Sequence, residues 1–238
     1  MTIVEEIKVA MEMLSIPEKK AFYPRFFKAG KGEYAEGDLF IGITVPDQRA
    51  IVKEYWQKIS LEELSILLSS PYHEHRHCAL LILVRKFEKT KDKDLQKKIV
   101  NFYLKNKEFI NNWDLVDSSC YKILGKYCYE LGDVSILKSL SKEDHLWSKR
   151  MGIVSTMFFI KKGVYDHTFD LASENLYYPH DLMHKANGWL LREVGNKNEE
   201  LLIQYLKFNY HQMPRTCLRY AIEKLDEDLR QDFLKGRL

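Results

Sequence analysis

Apolar residues recur at three- and four-residue spacing along almost the whole chain, the period of amphipathic helices, and no stretch alternates apolar with polar as a half-buried strand does. The pattern predicts helices near residues 2 to 13, 17 to 28, 46 to 57, 61 to 69, 73 to 88, 93 to 107, 112 to 129, 145 to 161, 179 to 195, 198 to 208 and 213 to 224. Pro46 and Pro71 stand at or just before helix starts, where a missing amide hydrogen costs nothing, while Gly163 and Gly195 stand at helix ends. AGKGEYAEGD, residues 29 to 38, is the one loop rich in glycine and charge. No polar segment is long enough to act as a linker, so the expectation is a single domain over residues 1 to 238.

The helices also repeat. HRHCALLIL, NWDLVDSS, KRMGIVST, HKANGWLL and PRTCLRYA superpose with His77, Trp113, Arg150, Lys185 and Arg215 in register, at steps of 36, 37, 35 and 30 residues. Such steps are those of two-helix HEAT-like units, each burying its apolar face only against its neighbours. The predicted fold class is therefore all-α, a HEAT-like helical repeat solenoid (an α-α superhelix) whose second helices line a concave groove.

Composition narrows the picture modestly. The 238 residues are 45% hydrophobic, enough for a sizeable core, and a net charge of +3 permits a polyanionic partner without demanding one. Cys78, Cys120, Cys128 and Cys217 form no CxxC pair and sit in apolar helical contexts, as small buried hydrophobes in a reducing, cytoplasmic setting do. The opening MTIVEEIKVAMEML places acids inside an amphipathic pattern, and nowhere do 18 apolar residues run together. We expect no signal peptide and no membrane span.

Candidate chemistry follows from the repeat register. Trp113, Arg150, Lys185 and Arg215 share one row, and four residues on stand Asp117, Val154, Trp189 and Arg219. On the 112 to 129 helix the apolar stripe Val116, Cys120, Ile123 and Tyr127 leaves Trp113 and Asp117 at its margin. Asn112 can cap this helix, and Asp114 lies in its first turn where a carboxylate complements the helix dipole. Asp117 lies a turn too deep for either role. The plainer reading makes Trp113 and Trp189 fillers at the core edge and Asp117 an ion-pair partner. HEHRH, residues 73 to 77, also satisfies the H-E-x-x-H pattern of zinc proteases. Pro71 puts His73 in a first helical turn, no third ligand follows at useful spacing, and His77 is already a repeat position. We read both as surface or groove histidines and expect no metal.

The stretches FFKAGKGEYAEGDLFIGITVPDQR, SPYHEHRHCALLILVRKF, INNWDLVDSS, LWSKRMGIVSTMFFI, HKANGWLLREVG and MPRTCLRYAIEKL carry a resemblance to the AlkD-like family of DNA alkylation repair glycosylases, nearly end to end. WDLVD and GWLLRE are its specific parts. The resemblance implies excision of positively charged alkylpurines, of the 3-methyladenine and 7-methylguanine type, from duplex DNA without base flipping. It implies catalytic positions at Trp113, Asp117 and Trp189, with Arg150 beside them on the DNA. Phe26 stands where the family's type member has a tyrosine, which leaves stacking but no hydroxyl. Lys185, Arg192, Arg215 and Arg219 lie near the repeat rows as candidate phosphate contacts, although Arg192 and Arg219 can equally pair with Glu193 and Glu223. The expected partner is duplex DNA carrying alkylated bases, bound by a monomer, with no cofactor and no membrane. The alternative is a HEAT-like scaffold, DNA- or protein-binding, that is catalytically silent.

Overall fold

The structure, a computed structural model, describes all 238 residues and is all-helical; its one β-type feature is an isolated parallel bridge between Leu39 and Tyr72. The chain divides into two compact units, Met1–Ser119 and Cys120–Leu238.

The first unit holds α1 (Ile3–Met13), α2 (Pro17–Phe26), α3 (Val45–Tyr55), α4 (Leu61–Leu68), α5 (His73–Lys89), α6 (Lys93–Lys105) and most of α7 (Trp113–Cys120). Their starts are written locally. Thr2 with Glu5 and Ser60 with Glu63 form capping boxes, each hydroxyl accepting the N3 amide while the glutamate accepts the cap amide. Thr44 and Asp92 cap α3 and α6. Val4, Ile7 and Met11 of α1 and Leu64, Leu67 and Leu68 of α4 face inward at helical spacing. α1 packs on α3 and α4, and α5 packs on α3, α4 and α6. α1, α3 and α5 thus pack in series, with α4 lodged against both α1 and α5. α5 is buried along its whole length from His73 to Val84, charged residues included.

The 27 to 44 segment that joins α2 to α3 is pinned to α5 by its backbone. Glu74, buried on α5, accepts the amides of Ile41 and Gly42, the latter at 2.7 Å. Gly42 has φ +92°, and a Cβ there would meet the Ile16 carbonyl and Lys20 amide at 2.6 Å, so only glycine fits this turn.

The second unit holds α8 (Lys126–Leu131), α9 (Ser135–Lys142), α10 (Leu146–Ser155), α11 (Met157–Ile160), α12 (Asp166–Glu174), α13 (Asp181–Gly195), α14 (Glu199–Asn209), α15 (Arg215–Ala221) and α16 (Glu227–Lys235). A π-helical turn, Tyr121–Gly125, leads into α8 from α7. α10 packs on α9 and α13, and α13 packs also on α12, α14 and α15. Gly188 of α13 is required by this packing, because a Cβ there would collide with the Cys217 carbonyl of α15.

Three helices, α9, α12 and α16, lie outside the segments expected from the sequence. They are short and polar, and α16 buries Phe233 alone. The expected 145 to 161 helix breaks at Thr156 into α10 and α11.

Candidate functional site

The start of α7 is where the chemistry-bearing residues of the first unit gather. Asn112 begins the helix: its side-chain oxygen accepts the Trp113 amide at 2.8 Å and its carbonyl accepts the Val116 amide at 3.1 Å. Trp113 and Asp117 therefore project one turn apart, and both are half-buried.

Trp113 rests on an aromatic bed. Its ring stacks on Phe27 with centroids 5.8 Å apart and planes 28° apart, and meets Phe26 edge-on at 5.8 Å. Phe27 in turn stacks on Phe40 at 5.5 Å and on the His73 ring at 4.3 Å. Phe27, Phe40 and His73 are buried, whereas Phe26 is 46% exposed and its neighbour Phe22 54% exposed. The result is a ledge whose inner side is core and whose outer side is wet, more apolar surface than isolated side chains on a soluble protein present.

Beneath the ledge lies a buried charge network. His73 Nε2 stands 2.8 Å from Asp114 Oδ2 and His73 Nδ1 3.3 Å from Asp38 Oδ2. Arg76 Nη2 donates to the same Asp38 oxygen at 2.6 Å, and its Nη1 donates to the Ser70 carbonyl at 3.1 Å. Two cations face two carboxylates, so the network is neutral as a whole. Burial by itself would lower the His73 pKa, but the Asp114 charge and hydrogen bonds to Asp114 and Asp38 outweigh it and raise the pKa to about 9. Burial pushes the Asp114 carboxyl up, and the His73 charge and hydrogen bond more than reverse this, holding it below the usual range.

These residues correct two expectations. His73 and His77 are 1% and 5% exposed, so they are core histidines and not surface or groove ones. His73 gives both nitrogens to carboxylates and His77 Nδ1 pairs with Gln48 Oε1 at 2.8 Å. The HEHRH segment is thus a structural staple in which every polar residue ties α5 to a neighbour, His75 to Ser70 among them. No group of three or more His, Cys, Asp or Glu side chains is placed to hold a metal ion. Asp114, accounted for in the sequence by the helix dipole, is chiefly the partner of His73.

In the second unit, Lys185, Trp189 and Arg192 follow one another along a face of α13, at i, i+4 and i+7, and Trp189 is half-buried. Lys185 pairs with Asp181 at 2.7 Å. Arg192 pairs with Glu223 and, at 3.7 Å, with Glu193. Arg150 on α10 is buried, and its Nη1 donates to the Leu182 carbonyl at 2.5 Å. Arg215 is exposed and donates to the Leu234 carbonyl, and Arg219 is exposed without an ion pair. Of the two arginines open to intrahelical pairing, then, Arg192 is paired and Arg219 is not. Sequence reasoning missed Phe27, Phe40, Asp38 and Arg76; the aromatic run AFYPRFF before the loop is the signal that points to the first of these.

The four cysteines are buried free thiols, and burial raises Cys78, Cys128 and Cys217 to about 12, which makes them inert packing groups. No helix is long and apolar enough to cross a membrane.

The sequence matches the family described as DNA alkylation repair enzyme over residues 7–225. Among solved structures the fold is similar to a predicted DNA alkylation repair enzyme from Enterococcus faecalis, at TM-score 0.70 and 16% identity, over 90% of this chain and 97% of that one. No curated protein matches the sequence.

Proposed function

This chain belongs to the DNA alkylation repair enzyme family, and from that premise we propose that it is a glycosylase that hydrolyses the N-glycosidic bond of positively charged alkylpurines, of the 3-methyladenine or 7-methylguanine type, in duplex DNA. The observation that carries the reading is the placement of a half-exposed aromatic ledge, Phe26 against Trp113, one helical turn from the Asp117 carboxylate. Electron-rich ring faces attract a cationic nucleotide by about 0.5 to 2 kcal/mol each, which favours damaged bases over neutral ones.

The chemistry asks for a carboxylate next. As the C1′–N bond breaks, the cationic purine takes the bonding pair and leaves neutral, and positive charge builds on the sugar. Water then adds at C1′ and loses a proton. Asp117 serves this step either by stabilising the sugar cation or by accepting the proton from water. Neither role needs the base turned out of the helix, so the reading includes excision without flipping. Within the second unit Trp189 is a further ring face and Lys185, Arg192, Arg215 and Arg219 are the proposed phosphate contacts, whereas Arg150, expected beside the DNA, is buried with its Nη1 on the Leu182 carbonyl. Residues 1 to 238 act in this reading as one monomeric domain of HEAT-like repeats.

Incubation of the protein with duplex DNA carrying 7-methylguanine, with free base followed over time, is the direct test. Release above the spontaneous rate supports the glycosylase. Duplex binding with no release of either 7-methylguanine or 3-methyladenine would leave the silent DNA-binding scaffold in its place.

A further inference from the structure

The glycosylase reading leaves unexplained why a protein would bury a histidine, an arginine and two aspartates together under its aromatic ledge. Taking charged groups out of water is costly before they pair, and apolar residues of the same volume would fill the space as well. The geometry shows what the arrangement holds. Both His73 nitrogens face carboxylate oxygens, which only accept hydrogen bonds, so both nitrogens carry hydrogens and the ring is an imidazolium. One of these N–H groups reaches Asp38, in the segment before α3, and the other reaches Asp114, which sits between Trp113 and the rest of α7. The ring plane lies against Phe27 at 4.3 Å, and Phe27 is the ring on which Trp113 stacks. His73 thus bears on the α7 start by two routes, directly through a hydrogen bond to Asp114 and indirectly through Phe27, which lies between its ring and Trp113.

We propose that His73 is a positioning residue for the excision site: it fixes the entry of α7, and with it the angle at which Trp113 and Asp117 are presented. The inference rests on the glycosylase reading for its consequence in catalysis but not for its structural content. The groups facing His73 are Asp114 from α7, Asp38 from the preceding segment and Arg76 from its own helix, and His77 also acts on Asp114. Asp38 is held as well by Arg76, which donates to the same Oδ2 oxygen and so anchors this end of the clamp. A misplacement of about 1 Å in a catalytic group can cost 10²-fold in rate, which is the scale on which such a clamp would act.

The test is His73→Gln, which keeps a neutral donor and removes the charge, with three readouts. The expected results are a fall of roughly 10- to 100-fold in single-turnover release of 7-methylguanine at saturating protein, affinity for undamaged duplex within about 2-fold of the parent, and increased iodide quenching of Trp113 in protein whose Trp56, Trp147 and Trp189 are phenylalanine. The double variant His73→Gln with Asp114→Asn removes the carboxylate left without its cation and should recover part of the loss. Unchanged release and unchanged quenching in His73→Gln overturn the inference. If the variant does not fold, ¹⁵N NMR of the parent protein decides: two protonated ring nitrogens at neutral pH are required, and a neutral tautomer overturns it. If the parent releases no alkylated base, the glycosylase reading fails by itself, while quenching and NMR still decide the clamp.

Discussion

His73 Nε2 and Asp114 Oδ2 lie 2.8 Å apart and join the starts of α5 and α7, although the two residues are 41 apart in sequence. The pair gives stability a pH dependence of known sign. An imidazole that is more basic folded than unfolded contributes in full below its unfolded value of 6.5 and loses that contribution as pH rises to about 9. Asp114, less basic folded than unfolded, loses its contribution at the other end, as pH falls below the ordinary carboxylate range. Chemical denaturation between pH 6 and pH 10 should show stability falling by up to about 3 kcal/mol across that window. Asp114→Asn should be less stable at pH 6 and flatten most of the slope.

Asp117→Asn keeps the size and shape of the side chain and removes its charge, exchanging one acceptor oxygen for a donor. Base release should fall by roughly 10²-fold or more, the scale on which a positioned acid, base or electrostatic group acts. Melting temperature and duplex affinity should change little. The competing ion-pair reading makes the opposite forecast, a lower melting temperature with release intact, so both measurements belong on one sample.

Phe26 stands 46% exposed against Trp113, so its truncation removes little buried surface. Phe26→Ala should slow excision by about 10-fold while moving the melting temperature by no more than a few degrees. Phe26→Tyr keeps the ring face and should retain activity within about 2-fold. A strong gain in Phe26→Tyr would show that a hydroxyl at this position is used.

Arginines already paired with acids cannot neutralise phosphate without giving up that pair, so the salt dependence of duplex binding should sort them. Arg219→Ala and Arg215→Ala should each lower the slope of log affinity against log salt by ~1. Arg192→Ala should lower it less, because Arg192 is held by Glu223 and Glu193. Duplex affinity that ignored ionic strength altogether would remove the phosphate-contact assignments.

Gly188 lies in the GWLLRE motif next to Trp189, yet its role is packing. Gly188→Ala would drive a methyl group into the Cys217 carbonyl and the Tyr220 Cβ. A loss of about 1 to 3 kcal/mol is expected from such overpacking, read by denaturant unfolding. A variant as stable as the parent would mean that α13 and α15 separate freely.

What the sequence determined by itself is what local physics encodes. Helical periodicity placed α1, α3, α5, α13 and α14 within a residue or two of their observed ends, since their caps and buried stripes are neighbours in sequence. The all-α class and the family likeness followed from the same local signals, carried by WDLVD and GWLLRE. α9, α12 and α16 escaped because short polar helices have too few turns to be stable alone and form only against the rest of the fold. Tertiary structure alone decided the meaning of HEHRH. From sequence, His73 was a histidine in a first turn and Asp114 a carboxylate at a helix start, 41 residues apart. Folding brought them together in a largely buried place, where a lowered dielectric strengthens the attraction between the two charges. The bed of Phe27, Phe40 and His73 under Trp113 is of the same kind: spacing along one helix can set which side chains share a face, but which ring lies against that face depends on chain that returns from far away in sequence.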